Sequence, residues 1–339
     1  MKSRSISSVS KGMLGVYAAV ILTSIVPFML RDSPFFLDVM IKIALYAFLG
    51  MAWNITAGYT GLIAFHHVAL FGIGAYTSTL LQVLYGVSPW IGMLLGAFLS
   101  ASIAAAFIYP AVKLKGLFLA LATLAFATGL QVFLMNWSIV IETGAYPKYI
   151  GGAVGMFVPL TADSLVDFQW HYTKLPYCYI MLGLLFLQLL FVRKLMRSKI
   201  GYFLLSIRED EVAAAHAGID VVKYKLVSMA IAGFFSAIAG TFMAQYILFV
   251  EPQSTMSLNF MFEVSLLTIM GGLGTLAGPL LGSLIYIPVS TVLRVLLGGT
   301  RFSGVALIIL GVALIVMTIA LPTGLYAQIT KITHKWRIG

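Results

Sequence analysis

The chain has 339 residues, of which 61% are hydrophobic and only 9% are charged, and its mean hydropathy is +1.02. This composition excludes a soluble globular protein and places most of the chain in a lipid bilayer. The formal net charge of +10 does not indicate nucleic-acid binding, because membrane proteins commonly carry an excess of lysine and arginine on their cytoplasmic side.

Ten apolar segments follow one another along the chain, and each is close to the roughly 20 residues that a helix needs to cross the hydrocarbon core. We therefore predict an all-α fold, a polytopic transmembrane helical bundle of about ten spans. The first segment has the basic flank of a signal peptide but no small-residue cleavage site, so we interpret it as an uncleaved anchor. The predicted spans are residues 13–30, 35–56, 64–85, 90–110, 116–137, 176–193, 225–250, 261–279, 280–297 and 302–322.

The distribution of basic residues predicts the orientation of these spans. With the N-terminus in the cytoplasm, 15 of the 21 basic residues lie on the cytoplasmic side, as the positive-inside rule requires. Lys42 and Arg294 fall inside spans or near their ends, where long side chains can snorkel to the interface. Both termini are then cytoplasmic.

This topology divides the chain into a membrane domain and two tails. The longest external loop carries many aromatic residues, which favours an interfacial aromatic belt, and it is also the largest outer surface available to a soluble partner. The divisions are a cytoplasmic tail at 1–12, a membrane domain at 13–325 with an external loop at 138–175 and a cytoplasmic loop at 194–224, and a basic cytoplasmic tail at 326–339.

Two glycine-rich segments, 54–76 and 269–283, interrupt the apolar pattern. Glycines at membrane depth allow helices to pack closely, and they also allow broken helices beside a watery path. The residues alone leave both interpretations open, although a histidine in such a place is more often structural than a proton carrier. The candidate path residues in these segments are Asn54, Gly58, Gly61, His67, Gly72, Gly74, Gly271, Gly272 and Gly274.

Glu263 is the carboxylate best placed to enter a span. An ionisable residue within a span is a functional candidate by default, so we add Glu263 to the candidate path. Because it lies near the predicted outer end of the eighth span, a side chain that reaches the surface is an equally good interpretation.

The window 193–225 holds seven basic and four acidic residues, far more charge than the rest of the chain. Its segment REDEVAAAHAG predicts a short helix whose acids complement the positive end of the helix dipole, and Gly218 is placed to end it. The segment is either a solvated connector that anchors the topology or a docking surface for a soluble partner. The residues assigned to it are Arg208, Glu209, Asp210, Glu211, Ala213, Ala214 and Gly218.

The stretch REDEVAAAHAGID resembles the Glu-Ala-Ala…Gly coupling motif of ABC-transporter permeases, in the form found in branched-chain amino-acid permeases of the LivM type. Over about residues 35–325, further motifs occur in the order typical of that family. They are NITAGYTGLIAFHHVALFGIGAY (54–76), KLKGLFLALATLAFA (113–127), the glycines of TGAYPKYIGGAVGM in the external loop, IMGGLGTLAGPLLGS (269–283) and LPTGL (321–325). His67 takes the position of the family histidine, whereas Leu62, Ala64 and His66 replace the usual Gln, Ser and Gly.

The resemblance implies a permease subunit that forms half of the membrane pathway of an ATP-driven importer for branched-chain or other hydrophobic amino acids. It implies a bacterial inner or plasma membrane and, as partners, a second, LivH-like permease, two cytoplasmic ATPase subunits and an external solute-binding protein. Glu211, Ala213, Ala214 and Gly218 would lie in the loop that contacts the ATPase. No phosphate-binding G-x-x-x-x-G-K-[ST] motif occurs, so ATP hydrolysis is expected in the partners and not in this chain.

Other function classes have weaker support. An ion-coupled secondary transporter predicts acidic residues at the membrane midplane, which are nearly missing, and an intramembrane enzyme predicts a catalytic constellation such as H-E-x-x-H. The single cysteine, Cys178, cannot form an internal disulfide, and the sequence has no Cys/His cluster at metal-ligand spacing, so no catalytic residue, metal or cofactor is predicted. Within the permease interpretation, urea or a short-chain amide is the alternative substrate.

Overall fold

The computed structural model describes residues 27–29, 31, 33–114, 116–143, 146–297, 311–312 and 324–328. Most of the predicted first span (13–30) and tenth span (302–322) lies outside the described residues, as do the tail at 1–12 and most of the tail at 326–339.

The described chain is mainly helical. Seven of its helices are long and apolar enough to cross a membrane, namely α1–α5, α8 and α11 below, which supports the predicted polytopic helical bundle. The helices are α1 (Pro34–Asn54), α2 (His67–Tyr85), α3 (Pro89–Ile108), α4 (Leu117–Asn136), α5 (Leu175–Met196), α6 (Lys199–Glu209), α7 (Glu211–His216), α8 (Val221–Ile247), α9 (Pro252–Thr255), α10 (Leu258–Gly271) and α11 (Gly278–Leu297). α1 continues into a π-helical turn, Ile55–Tyr59. Prolines in the first turn of α1, α3 and α5 fit these helix starts, where no intrahelical N–H bond is lost.

Helix α8 packs against α1, α2 and α3 through glycine and other small residues. A Cβ atom at Gly240 would lie 1.8 Å from the carbonyl oxygen of Phe71, and one at Gly74 would lie 2.1 Å from that of Ala237. The hydroxyl of Thr241 donates a hydrogen bond to the Gly74 carbonyl (3.0 Å). Gly74 therefore serves the close helix packing that was one of the two interpretations of the glycine-rich segments.

The structure differs from the prediction at the eighth span, 261–279. Helix α10 has only 14 residues, about 21 Å, which is shorter than the hydrocarbon core of about 30 Å. It ends at a turn in which Gly272 (φ +126°) and Gly274 (φ +70°) have backbone conformations that L side chains rarely adopt, and α11 begins after this turn. The two glycines thus end the helix within a stretch whose apolar composition predicts one continuous span.

The loop at 138–175, for which an external position was predicted, contains short β structure that the all-α prediction did not include. Strands β1 (Ser138–Thr143) and β2 (Tyr146–Gly151) form an antiparallel hairpin. Strand β3 (Met156–Phe157) pairs with β4 (Phe249–Val250), which follows α8. The pairing of β3 with β4 joins this loop to the segment that leads into α10.

The aromatic residues of this loop do not all belong to an interfacial belt. Phe168 is fully buried against Trp90, with ring centroids 4.6 Å apart, whereas Tyr172 is 95% exposed. The Asp163 carboxylate is held by the ring of His171 and by the backbone N–H of the same residue, and these hydrogen bonds lower the pKa of Asp163 below its usual value. The loop is therefore folded.

Candidate functional site

The charged segment forms two helices where one was predicted. Asp210 has extended backbone (φ −157°, ψ 111°) and its carboxylate caps α7, accepting hydrogen bonds from the backbone N–H groups of Val212 (2.8 Å) and Ala213 (3.0 Å). Arg208 and Glu209 therefore belong to the end of α6, and the helix that carries the Ala-rich body begins at Glu211. The break occurs at Asp210 because a short acidic side chain satisfies free N–H groups best from the N-cap position.

The end of α7 matches the prediction for Gly218. Gly218 has φ +84°, and its N–H donates to the carbonyl of Ala215 (3.0 Å), while the N–H of Ile219 donates to the carbonyl of Ala214 (3.1 Å). A glycine in the left-handed region that closes the last helical turn in this way is a common C-terminal helix cap.

One side of α7 is fixed to the bundle and the other is exposed. Ala214 is buried, and the Glu211 carboxylate pairs with the Nζ of Lys225 on α8 at 2.9 Å. The Lys225 side chain is only 2% exposed, whereas that of Glu211 is 32% exposed, so the pair anchors α7 to a buried cation of α8. Val212 and Ala213 lie on the exposed side.

Arg208 connects this segment to the membrane helices. Its Nη1 donates a hydrogen bond of 2.7 Å to the carbonyl of Gly58 in the π-helical turn. Asn54, at the end of α1, accepts from the N–H of Gly274 (2.8 Å) and donates to the carbonyl of Thr275 (2.9 Å), both in the turn between α10 and α11. We call these five residues the junction, because they join α6, the end of α1 and the α10–α11 turn.

Glycine is required at the junction by the closeness of its neighbours. A Cβ atom at Gly58 would lie 1.9 Å from the Oδ1 of Asn54 and 2.4 Å from the backbone nitrogen of Gly274. One at Gly274 would lie 2.4 Å from the Nη1 of Arg208. Gly61 (φ +76°) also packs against Arg208, with 3.2 Å between its would-be Cβ and the Arg208 Cγ. Any larger residue at Gly58 or Gly274 would displace the hydrogen bonds of the junction.

The structure divides the ten candidate path residues into separate groups. Asn54, Gly58 and Gly274 belong to the junction, Gly61 adjoins it, and Gly271 and Gly272 flank the same turn. Gly72 and Gly74 serve packing; a Cβ atom at Gly72 would lie 1.9 Å from the Cε of Met256. His67 is fully buried, with its ring 6.1 Å from that of Trp53. The remaining residue, Glu263, lines a cavity.

That cavity has a volume of about 550 Å³. Its wall is largely apolar and aromatic and carries one carboxylate and one guanidinium, from Glu263 and Arg294. The Nη2 of Arg294 lies 2.6 Å from the Oε1 of Glu263, and the hydroxyl of Tyr46 donates to the Oε2 at 3.0 Å. For Arg294 we predicted a side chain that can snorkel to the interface. In the structure its guanidinium pairs with Glu263, because α10 and α11 bring the two side chains together.

Sequence reasoning did not assign Arg294, Tyr46 or Thr275 to a site. The presence of an arginine within an apolar helix was the available signal for Arg294. No comparable signal marks Tyr46 or the backbone of Thr275. Among the residues that the structure describes, no group of three His, Cys, Asp or Glu side chains could hold a metal ion.

Comparison with known proteins gives consistent matches. Residues 35–320 match the family described as branched-chain amino acid transport system / permease component. The high-affinity branched-chain amino acid transport system permease protein LivM of Salmonella typhimurium is 26% identical over 333 residues, covering 94% of this chain and 76% of the relative, and LivM of Escherichia coli gives the same figures. The probable branched-chain amino acid transport permease protein LivM of Methanocaldococcus jannaschii is 28% identical over 240 residues, 66% of each chain. No solved structure matches the chain significantly.

Proposed function

Because the chain belongs to the family of branched-chain amino acid transport system permease components, we propose that it forms half of the membrane pathway of an ATP-driven importer. The proposed substrates are branched-chain or other hydrophobic amino acids, as the names of its relatives suggest. The chain is a multi-pass membrane protein. We place it in a bacterial inner or plasma membrane, with a second, LivH-like permease, two cytoplasmic ATPase subunits and an external solute-binding protein as partners.

The observation that carries this proposal is the construction of α7. On one side Ala214 is buried and Glu211 forms an ion pair with Lys225 of α8, while the small side chain of Ala213 lies on the exposed side. A short helix that is rigidly mounted and presents small residues is suited to close docking in a groove on another protein. A mere topological anchor would need neither the buried lysine nor the capped ends.

In the proposed mechanism, the ATPase subunits bind ATP and close, and α6 and α7 move with them. Arg208 transmits this movement to the carbonyl of Gly58, and Asn54 transmits it to the turn between α10 and α11. The two permeases then exchange an outward-open for an inward-open pathway. The chain contributes the pathway and the linkage, and the ATP chemistry belongs to its partners.

Replacing Ala213 with arginine tests the docking surface. A long charged side chain on the exposed face of α7 would prevent close approach, so we expect co-purification with the ATPase subunits to fall at least about tenfold, the equivalent of about 1.4 kcal/mol. Ala162→Arg, at an exposed alanine of the external loop, is the matched control and should retain the ATPase subunits. If the Ala213→Arg protein co-purifies with the ATPase subunits as well as the unchanged protein does, α7 is not the docking surface.

A second test concerns orientation, for which we propose that the loop at 138–175 is external and that α6 is cytoplasmic. Helix α5 is long enough to cross the membrane, so the external loop before it and α6 after it should lie on opposite sides. A membrane-impermeant maleimide should label Ser206→Cys only from the cytoplasm and Ala162→Cys only from outside. The native Cys178 is buried and should give little background. Labelling of Ser206→Cys in intact cells would contradict the proposed orientation.

A further inference from the structure

We propose that the cavity beside Glu263 and Arg294 is a binding site for the zwitterionic head of an α-amino acid with an apolar side chain. The inference rests on the proposed function and deepens it, because it assigns substrate recognition to this chain in addition to any external binding protein. The ammonium group of the ligand binds the Glu263 carboxylate, and the ligand carboxylate binds the Arg294 guanidinium.

Arg294 and Glu263 form an ion pair but remain accessible. The side chain of Arg294 is 55% exposed in the isolated chain, and that of Glu263 is 17% exposed. Arg294 lies on α11, a helix apolar enough to span the membrane, where a charge is costly unless it has a function. Both side chains line the same cavity. A ligand can therefore reach the two charges together.

A zwitterion matches this arrangement in both charge and hydrogen bonding. The pair of Glu263 and Arg294 has no net charge, and the ligand also has none, so binding brings no unbalanced charge into the membrane domain. When the ligand enters between the two side chains, the ion pair of 2.6 Å is exchanged for two ligand ion pairs, and no charge is left without a partner. The hydroxyl of Tyr46 keeps the Glu263 carboxylate oriented during this exchange.

The N-terminal end of α10 adds to the attraction for a carboxylate. Ser257 caps this helix, with its Oγ accepting from the N–H of Phe260 at 3.1 Å, and Ser257 and Asn259 both line the cavity. The partial positive charge of the first turn of α10 therefore lies beside the cavity that Arg294 lines.

The remainder of the cavity wall suits an aliphatic side chain. The rings of Phe71 and Phe260 lie 5.2 Å apart between centroids, and Met243 and Ile247 of α8 complete an apolar surface. The volume of about 550 Å³ is within the range of small-molecule sites, roughly 300–1,000 Å³. An uncharged ligand such as urea would neither use the two charges nor cover the apolar wall, so the chemistry of the site favours an amino acid.

The main test uses the complete importer in proteoliposomes, with the two charges exchanged as Glu263→Arg/Arg294→Glu. This double variant keeps an ion pair, so assembly and thermal stability should stay near those of the unchanged protein. The ammonium and carboxylate sites have changed places, however, which directs the ligand side chain away from the apolar wall. We expect uptake of L-leucine to fall at least about tenfold. Uptake at the original rate would mean that the pair is only structural and would overturn the inference.

A second measurement separates this site from an external binding protein. Equilibrium binding to the purified complex without the binding protein should favour L-leucine over leucinamide and over 4-methylpentanoate. Arg294→Gln should abolish the preference over leucinamide, which lacks the carboxylate, and Glu263→Gln should abolish the preference over 4-methylpentanoate, which lacks the ammonium group. Lys42→Gln removes a cation of α1 that pairs with Asp38 and does not line the cavity, so it should retain both preferences.

The outcomes distinguish this inference from the proposed function. Preferences that persist in both single variants, together with normal leucine uptake, would overturn the amino-acid site and leave the importer proposal intact. A complex that takes up no amino acid and binds no ATPase subunit, even without substitutions, would overturn the proposed function itself.

Discussion

Replacing Arg208 with alanine is expected to lower transport and substrate-stimulated ATP hydrolysis at least about tenfold while leaving the ATPase subunits bound. The reason is that Arg208 links α6 to the π-helical turn through a charge-assisted hydrogen bond of 2.7 Å to the Gly58 carbonyl. Such a bond contributes about 1.5–3 kcal/mol, and its loss leaves the movement of α6 and α7 without a direct connection to α1. The measurement is ATP hydrolysis and uptake by the complete importer in proteoliposomes, with co-purification measured in parallel.

Two further variants define what Arg208 contributes. Arg197→Ala, which removes an exposed arginine from the same charged loop, should leave coupling unchanged. Arg208→Lys retains the positive charge but loses the planar guanidinium, so we expect an intermediate loss of coupling. If Arg208→Ala hydrolyses ATP in response to substrate as well as the unchanged protein does, the junction does not transmit the movement.

Replacing Gly271 with leucine is expected to prevent stable folding of the membrane domain. A Cβ atom at Gly271 would lie 1.8 Å from the carbonyl oxygen of Gly278 and 3.0 Å from the backbone nitrogen of Gly282, so α10 and α11 could no longer pack closely. Because the obstruction is backbone rather than a flexible side chain, we expect a cost of about 3 kcal/mol or more. The yield of monodisperse protein after detergent extraction and its thermal midpoint measure this loss.

The matched control for this substitution is Gly183→Leu on α5. Gly183 is exposed, and no described atom lies within 4 Å of the position that its Cβ would occupy. The same change of residue should therefore be tolerated, and the yield should remain near that of the unchanged protein. Normal yield and stability of Gly271→Leu would contradict the close contact between α10 and α11.

Much of the helical architecture could be predicted from the sequence, because the length and apolarity of a span are local properties. Helices α1 to α5 begin and end within a few residues of the predicted spans, and Gly218 has the left-handed conformation that its place after an Ala-rich helix indicated. The break at Asp210 was missed because capping competes with helix continuation over a single residue. The short β3–β4 pair was missed because two-residue strands leave no periodic pattern.

The sequence by itself determined an apolar helical bundle, a charged segment that interrupts it, and the glycines at which its helices break or approach each other. Only the tertiary structure decided what these parts contact. Asn54 and Gly274 are 220 positions apart in the sequence, and Tyr46 and Glu263 are 217 apart, yet each pair is joined by a hydrogen bond. Hydropathy and spacing describe local backbone preferences, whereas a junction or a cavity depends on which helix faces are brought together by packing.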